Sequence, residues 1–230
     1  MQESTVFREF GPLSGSTMRL AYEIAPKVGN SLSRQTLDGD ARKYFRLGAT
    51  GLLALRARGF KSWGTAPDYT YFGGNSELRG YEYLEFIGQN AFFTNAELRF
   101  PLIDAMATPI GVLGGVRATL FAGLGGAHFE GTPFKAFTRS ASIERPVVGF
   151  DANQQPIFGT PVLISGNRLV DARASYGISL ATFALGFPVH FDWSWKTLMN
   201  KNWEDIVFAQ NGGSAAFRKA KFSMWIGYDW

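Results

Sequence analysis

Few residues of this chain have the types and spacing that chemistry requires. Two histidines, His128 and His190, could ligate a metal or carry a proton, but they lie far apart in the sequence and no metal is expected. His190 and Asp192 could be read as an acid–base pair, yet residues two apart in a strand share a face by parity alone. The glycines of Gly123 to Gly126 and of the GVLGG stretch could suggest a phosphate-cradling loop. Neither sits at a strand-to-helix junction, and no G-x-x-x-x-G-K-[ST] follows. No serine stands in a G-x-S-x-G elbow. Cysteine is absent, which removes thiol catalysis, zinc–cysteine sites and disulfides. The expectation is a protein that is not an enzyme and uses no cofactor.

If the chain does no covalent chemistry, its elements must carry the function. The 230 residues include 21 Phe, 8 Tyr, 6 Trp and 27 Gly, with only 18% charged residues. That mixture suits many short strands joined by turns, with an outer surface that meets lipid. The net charge of +4 is mild and no run of like charges occurs, so nucleic acid is not an expected partner. No apolar stretch is long enough for a membrane-crossing helix, so a membrane-spanning form would have to be a barrel.

Alternation with period two recurs along the chain. Leu53, Leu55 and Ala57 oppose Ala54, Arg56 and Arg58; Phe92, Thr94, Ala96, Leu98 and Phe100 oppose Asn95, Glu97 and Arg99. Val170, Ala172, Ala174, Tyr176, Ile178 and Leu180 oppose Asp171, Arg173, Ser175 and Ser179. Similar segments start near Thr17, Leu37, Val116, Val189 and Lys221, giving eight strands, with a ninth suggested at residues 3 to 10. A soluble antiparallel barrel and a β-sandwich also alternate, with the apolar face inward. Loop lengths separate the readings. Short connections are expected at Arg46 to Thr50, Ile103 to Gly114 and Ala181 to Gly186, and long ones at Trp63 to Asn90, Gly131 to Arg168 and Thr197 to Ala216. All the long loops then fall at one end, as in outer-membrane barrels. Tyr22, Trp63, Trp193, Trp195, Tyr228 and Trp230 stand near strand ends, where aromatic residues meet the bilayer surface.

One stretch, GGNSELRGYEYLEFIGQNAFFTNAELRFPL, carries a family resemblance. Its core, Leu78-Arg79-Gly80-Tyr81, resembles the Val-Arg-Gly-Phe/Tyr loop motif of the outer-membrane barrel assembly-factor superfamily (BamA/TamA-like bacterial surface antigens), and Asn95 to Pro101 resembles the strand that follows that loop. The resemblance implies an all-β fold, an antiparallel transmembrane β-barrel in the bacterial outer membrane, with residues 1–230 forming the C-terminal half of a larger barrel domain. MQESTVFREF lacks the pattern of a signal peptide, so an N-terminal periplasmic domain and the early strands are expected to be missing from this sequence.

In the family the loop folds into the lumen and its arginine is held by acidic side chains. By resemblance Arg79 takes that role, with Glu97 as its first partner and Asp171 as its second. The chain departs from the family where Phe-x-Asp-x-Gly is usual, reading Phe121-Ala122-Gly123-Leu124-Gly125, which leaves Glu97 to carry more of the clamp. The last segment looks like the strand by which such barrels are recognised for insertion, through Phe222, Met224, Ile226, Gly227, Tyr228 and Trp230, with the apolar members and Trp230 outward. The implied function is insertion of outer-membrane proteins or polypeptide translocation through a barrel with a lumen-plugging loop. The implied partners are outer-membrane lipid, unfolded outer-membrane or exported polypeptides, and periplasmic or lipoprotein partners. A passive porin-like channel and a soluble lipocalin-like binding barrel are the rival readings.

Overall fold

In the computed structural model, residues 2–8, 11–29, 31–108, 111–184, 187–228 and 230 are described, without the side chains of 7, 8, 11, 104–108 and 111–114. Eight long strands follow one another: β1 Gly11–Ala25, β2 Arg34–Leu47, β3 Gly51–Gly64, β4 Asn90–Thr108, β5 Gly111–His128, β6 Arg173–Ala184, β7 Phe187–Thr197 and β8 Lys221–Ile226. Each pairs antiparallel with the next in the chain, so β1 to β8 follow one another as a meander in a single sheet, with β8 at one end and the short Gln2–Glu3 piece beyond β1 at the other. One cross-strand row runs Ala41, Ala57, Thr94, Leu124, Ala174, Thr197. Among the described residues β1 and β8 do not pair. The ninth strand expected at residues 3 to 10 appears as two short pieces along β1, Gln2–Glu3 and Val6–Arg8; residues 9 and 10 lie outside the described residues.

Side-chain alternation gives the sheet two unlike faces. On one row Phe45, Leu98, Leu120, Ile178 and Phe222 are exposed on the outer face, at 36–56%. On the inner face Glu97, Arg99, Ser179, His190 and Asp192 are at most 2% exposed. A soluble barrel places its apolar residues inside; here they point outward and the charges point in, as lipid-facing sheets require. The parity expected from sequence therefore holds across the middle of the sheet. At the top of β6 Ala174 keeps that parity, in register with Leu124 and Thr197, but it and the preceding Ala172 are covered by Leu169 and Leu198.

The short connections are 48–50, 109–110 and 185–186, the last two outside the described residues. β4 and β5 run further than the turn expected at Ile103 to Gly114, with a bulge between Pro101 and Ile103. Proline cannot donate to the ladder, and a shifted register accommodates it. The long loops carry small ladders: Thr70–Phe72 with Phe86–Gly88, and three within 129–172.

The connection from β7 to β8 is helical, which the alternation did not foretell: α1 Lys201–Val207, a 3-10 turn at Ala209–Asn211, and α2 Gly213–Phe217. Asn200 caps α1 by accepting from Trp203 N at 3.0 Å, and Gly212, at φ 87°, ends the 3-10 turn. The fully buried Glu204 ties this cap together, accepting from Leu198 N at 2.6 Å, from Thr197 Oγ1 at 3.2 Å and from Arg218. Glu204→Ala is expected to cost the cap about 1–3 kcal/mol, because it leaves the buried Leu198 amide unpaired, whereas Arg218, 38% exposed, can turn to water. Limited proteolysis should then cut within 199–220 while β1 to β7 stay protected; unchanged protection there would refute the role.

Candidate functional site

The connection between β3 and β4 turns back over the inner face, and its local sequence explains how. Gly73, Gly74 and Gly80 all have positive φ, at 138°, 83° and 90°. Gly73 N donates to Glu77 Oε2 at 2.9 Å, and Tyr81 N to Leu78 O at 3.3 Å, closing a compact loop. Leu78 is fully buried and packs with Phe72, Tyr81, Ala91 and Phe93, giving the loop its own apolar anchor on β4. Gly80 is required twice over, by its φ and because a Cβ there would stand 3.0 Å from Ser194 Oγ on β7. Tyr81 donates to Ala174 O at 3.2 Å, and burial pushes the phenol's pKa up, so it stays a neutral donor.

Between these anchors Arg79 reaches two carboxylates. Its Nη2 donates to Glu97 Oε1 at 2.8 Å, and its Nη1 lies 3.5 Å from Asp192 Oδ2. The guanidinium faces the Phe121 ring at 4.7 Å and the Trp225 ring at 5.7 Å. Glu97 is shared, for Arg99 Nε donates to its other oxygen at 2.8 Å. Asp192 also accepts from Trp225 Nε1 at 2.9 Å, and His190 stacks on the Trp225 indole at 3.8 Å. His190 and Asp192 are thus parts of a binding wall, His190 being tied to Gly227 O at 2.9 Å.

Two expectations need correction. Asp171 does not approach Arg79: β6 begins only at Arg173, and Asp171 is an exposed residue of the preceding loop whose carboxylate accepts from Lys135 N at 2.6 Å. The second carboxylate is Asp192, which lies on the same inner face as Glu97. Trp230, expected outward, turns inward. Parity governs a residue only while its strand is paired, and pairing ends at Ile226. Trp230 packs on Tyr44 of β2, ring centroids 6.3 Å apart, beside Leu52 and Ala54 of β3. Phe222, Met224, Ile226 and Tyr228 do face outward, at 56–64% exposure. Past the strand's last pair, Gly227 makes one more backbone contact, its N–H donating to Pro188 O at 3.1 Å.

Gly123 also acquires a physical reason. A Cβ there would stand 2.8 Å from both Leu78 Cδ1 and Asn95 Oδ1, so the loop's leucine occupies the space a side chain would need. The clamp's second acid comes from β7 instead. Gly123→Ala is expected to loosen the loop at a cost of about 1–3 kcal/mol from overpacking. Faster proteolysis between residues 73 and 85 would show it, and unchanged cleavage would mean that Leu78 repacks freely.

Further contacts, missed in sequence because face parity alone does not assign partners, bind the rest of the loop. Arg56 pairs with Asp40 at 2.7 Å and donates to Ser76 O at 3.1 Å; Arg58 bridges Asp38 and Glu77 at 3.2 and 3.4 Å; Asn95 Nδ2 donates to Glu77 O at 2.6 Å. The shared inner face of Asp38, Asp40, Arg56 and Arg58 was their only signal. Among the described residues no three acidic or histidine side chains come together as a metal site. The arrangement is a set of ion pairs and packing contacts that holds a loop against an otherwise polar inner face.

The Omp85 superfamily domain model matches the chain over residues 5–230. No curated protein and no solved structure matches it.

Proposed function

The chain belongs to the Omp85 superfamily, and from that premise we propose that it handles polypeptides at the bacterial outer membrane, inserting or translocating them with its Arg79 loop as a lumen plug. Proteins of this superfamily are outer-membrane components that insert or translocate polypeptides and are not enzymes. The observation that carries the finer reading is the Arg79–Glu97 clamp, which holds residues 73–85 against the inner face where a passive pore would need open space. An edge strand of this sheet offers unpaired backbone groups to an incoming strand, and the apolar outer face keeps that exchange within lipid. Its partners would be lipid, unfolded outer-membrane or exported polypeptides, and periplasmic or lipoprotein components.

The test is reconstitution of the full chain in liposomes with an unfolded outer-membrane polypeptide, following protease-resistant, heat-modifiable product and ion conductance together. Accelerated insertion with low resting conductance supports the proposal. High resting conductance without acceleration would make the protein a passive channel.

A further inference from the structure

Among the described residues β8 pairs along one edge, over six residues from Lys221 to Ile226. Its inner face and the segment beyond it make a second set of contacts: Trp225 to Asp192 and His190, Trp230 to Tyr44, Leu52 and Ala54, and others to the Arg79 loop or to arginines tied to that loop. Lys221 Nζ pairs with Glu82 Oε1 at 2.6 Å, and Ser223 Oγ lies 3.5 Å from Asn75 Oδ1. The Trp225 ring faces the Arg79 guanidinium. The Trp230 ring is faced by Arg99 at 5.1 Å and by Arg56 at 5.8 Å, and Arg99 Nη2 donates to Trp230 O at 3.3 Å.

Neither arginine of this Trp230 seat is independent of the loop. Arg56 donates to the loop carbonyl of Ser76, and Arg99 shares Glu97 with Arg79. Trp230 also lines one small cavity together with Asn75, Glu77 and Arg79 of the loop. We infer that the loop is the second clamp of β8: docked, it completes the Trp230 seat and fixes the inner face of the strand; undocked, it releases Trp230 and loosens β8. With Arg79 withdrawn, Glu97 is free to turn wholly toward Arg99 and draw it from Trp230 O, while Ser76 no longer steadies Arg56. The clamp deepens the proposed function and rests on it for its purpose, since a releasable edge strand matters only if another strand is to be admitted.

Because the chain has no cysteine, single nitroxide labels can be placed through Tyr228→Cys, outward beyond β8, and Tyr83→Cys, at the exposed side of the loop. In the full chain in lipid, Arg79→Ala and, by sterics alone, Gly80→Ala should mobilise both labels. The ratio of mobile to immobile spectra at 228 should rise about fivefold or more, within the usual range of coupling between sites. Reciprocity requires Trp230→Ala to mobilise the label at 83, an arm that leaves every loop residue intact. Arg168→Ala, in the loop before β6, should move neither. A label at 83 freed by Arg79→Ala or Gly80→Ala with 228 unmoved, or a label at 83 indifferent to Trp230→Ala, overturns the clamp. Insertion assays on the same variants keep the two readings apart: responding labels in a chain that inserts nothing would leave the clamp standing and the proposed function refuted.

Discussion

Glu97→Gln is expected to destabilise the folded sheet by about 3–5 kcal/mol, the usual cost of removing one partner from a buried ion pair. The substitution keeps the shape of the side chain and deletes its charge. Arg79 and Arg99 approach the two carboxylate oxygens at 2.8 Å each, and both arginines are at most 6% exposed, so water cannot replace the lost charge. Asp192 is the nearer remaining acid for Arg79, at 3.5 Å, and it already accepts from Trp225. The loop should therefore leave the inner face before the strands separate. Urea unfolding in lipid, read by intrinsic tryptophan emission and by the heat-modifiable gel shift, measures the loss. Asp38→Asn is the comparison, because Arg58 is a quarter exposed and keeps Glu77 as a second partner. A Glu97→Gln chain as stable as the Asp38→Asn chain would remove the clamp from the account of this site.

Leu98→Arg should cost about 2–4 kcal/mol, the penalty for a cation at the midplane of a lipid-facing sheet. Leu98 stands between Leu53 and Leu120 on a row that continues through Ile178 to Trp193, and no acid lies on that row. At Tyr22, three residues from the end of β1 and against Trp63, the same charge can reach the bilayer surface and should cost about 0–1 kcal/mol. The contrast between the two positions is the measurement, made by reversible unfolding in bilayers. If the outer face met water, both substitutions would stay within about 0.5 kcal/mol, as exposed changes do. That result would contradict the lipid-facing assignment.

The strand count, the unlike faces and the end at which the long loops gather were legible in the sequence, for a physical reason. Alternation is a property of the extended backbone itself, so Glu97 and Leu98 point to opposite faces whatever else the chain does. Loop lengths are likewise counted along the chain. The loop's arginine and its first acid were reached through the resemblance of LRGY and NAELRFP to a family pattern, not through alternation; in the structure Arg79 Nη2 stands 2.8 Å from Glu97 Oε1.

What the sequence by itself determined is therefore local: which residues alternate and where the chain must turn. The second acid was decided by tertiary structure, because Asp171 and Asp192 share the parity required and only the start of β6 at Arg173 removes the first. The inward turn of Trp230 was decided the same way, since alternation stops directing side chains once pairing ends at Ile226. The buried Glu204 and its helical cap owe their form to partners brought together from both ends of a long loop. The seat that joins Trp230 to Tyr44, Arg56 and Arg99 spans strands far apart in the chain, and it exists only because the folded sheet carries β2, β3 and β4 to within ring-contact distance of the residues after β8.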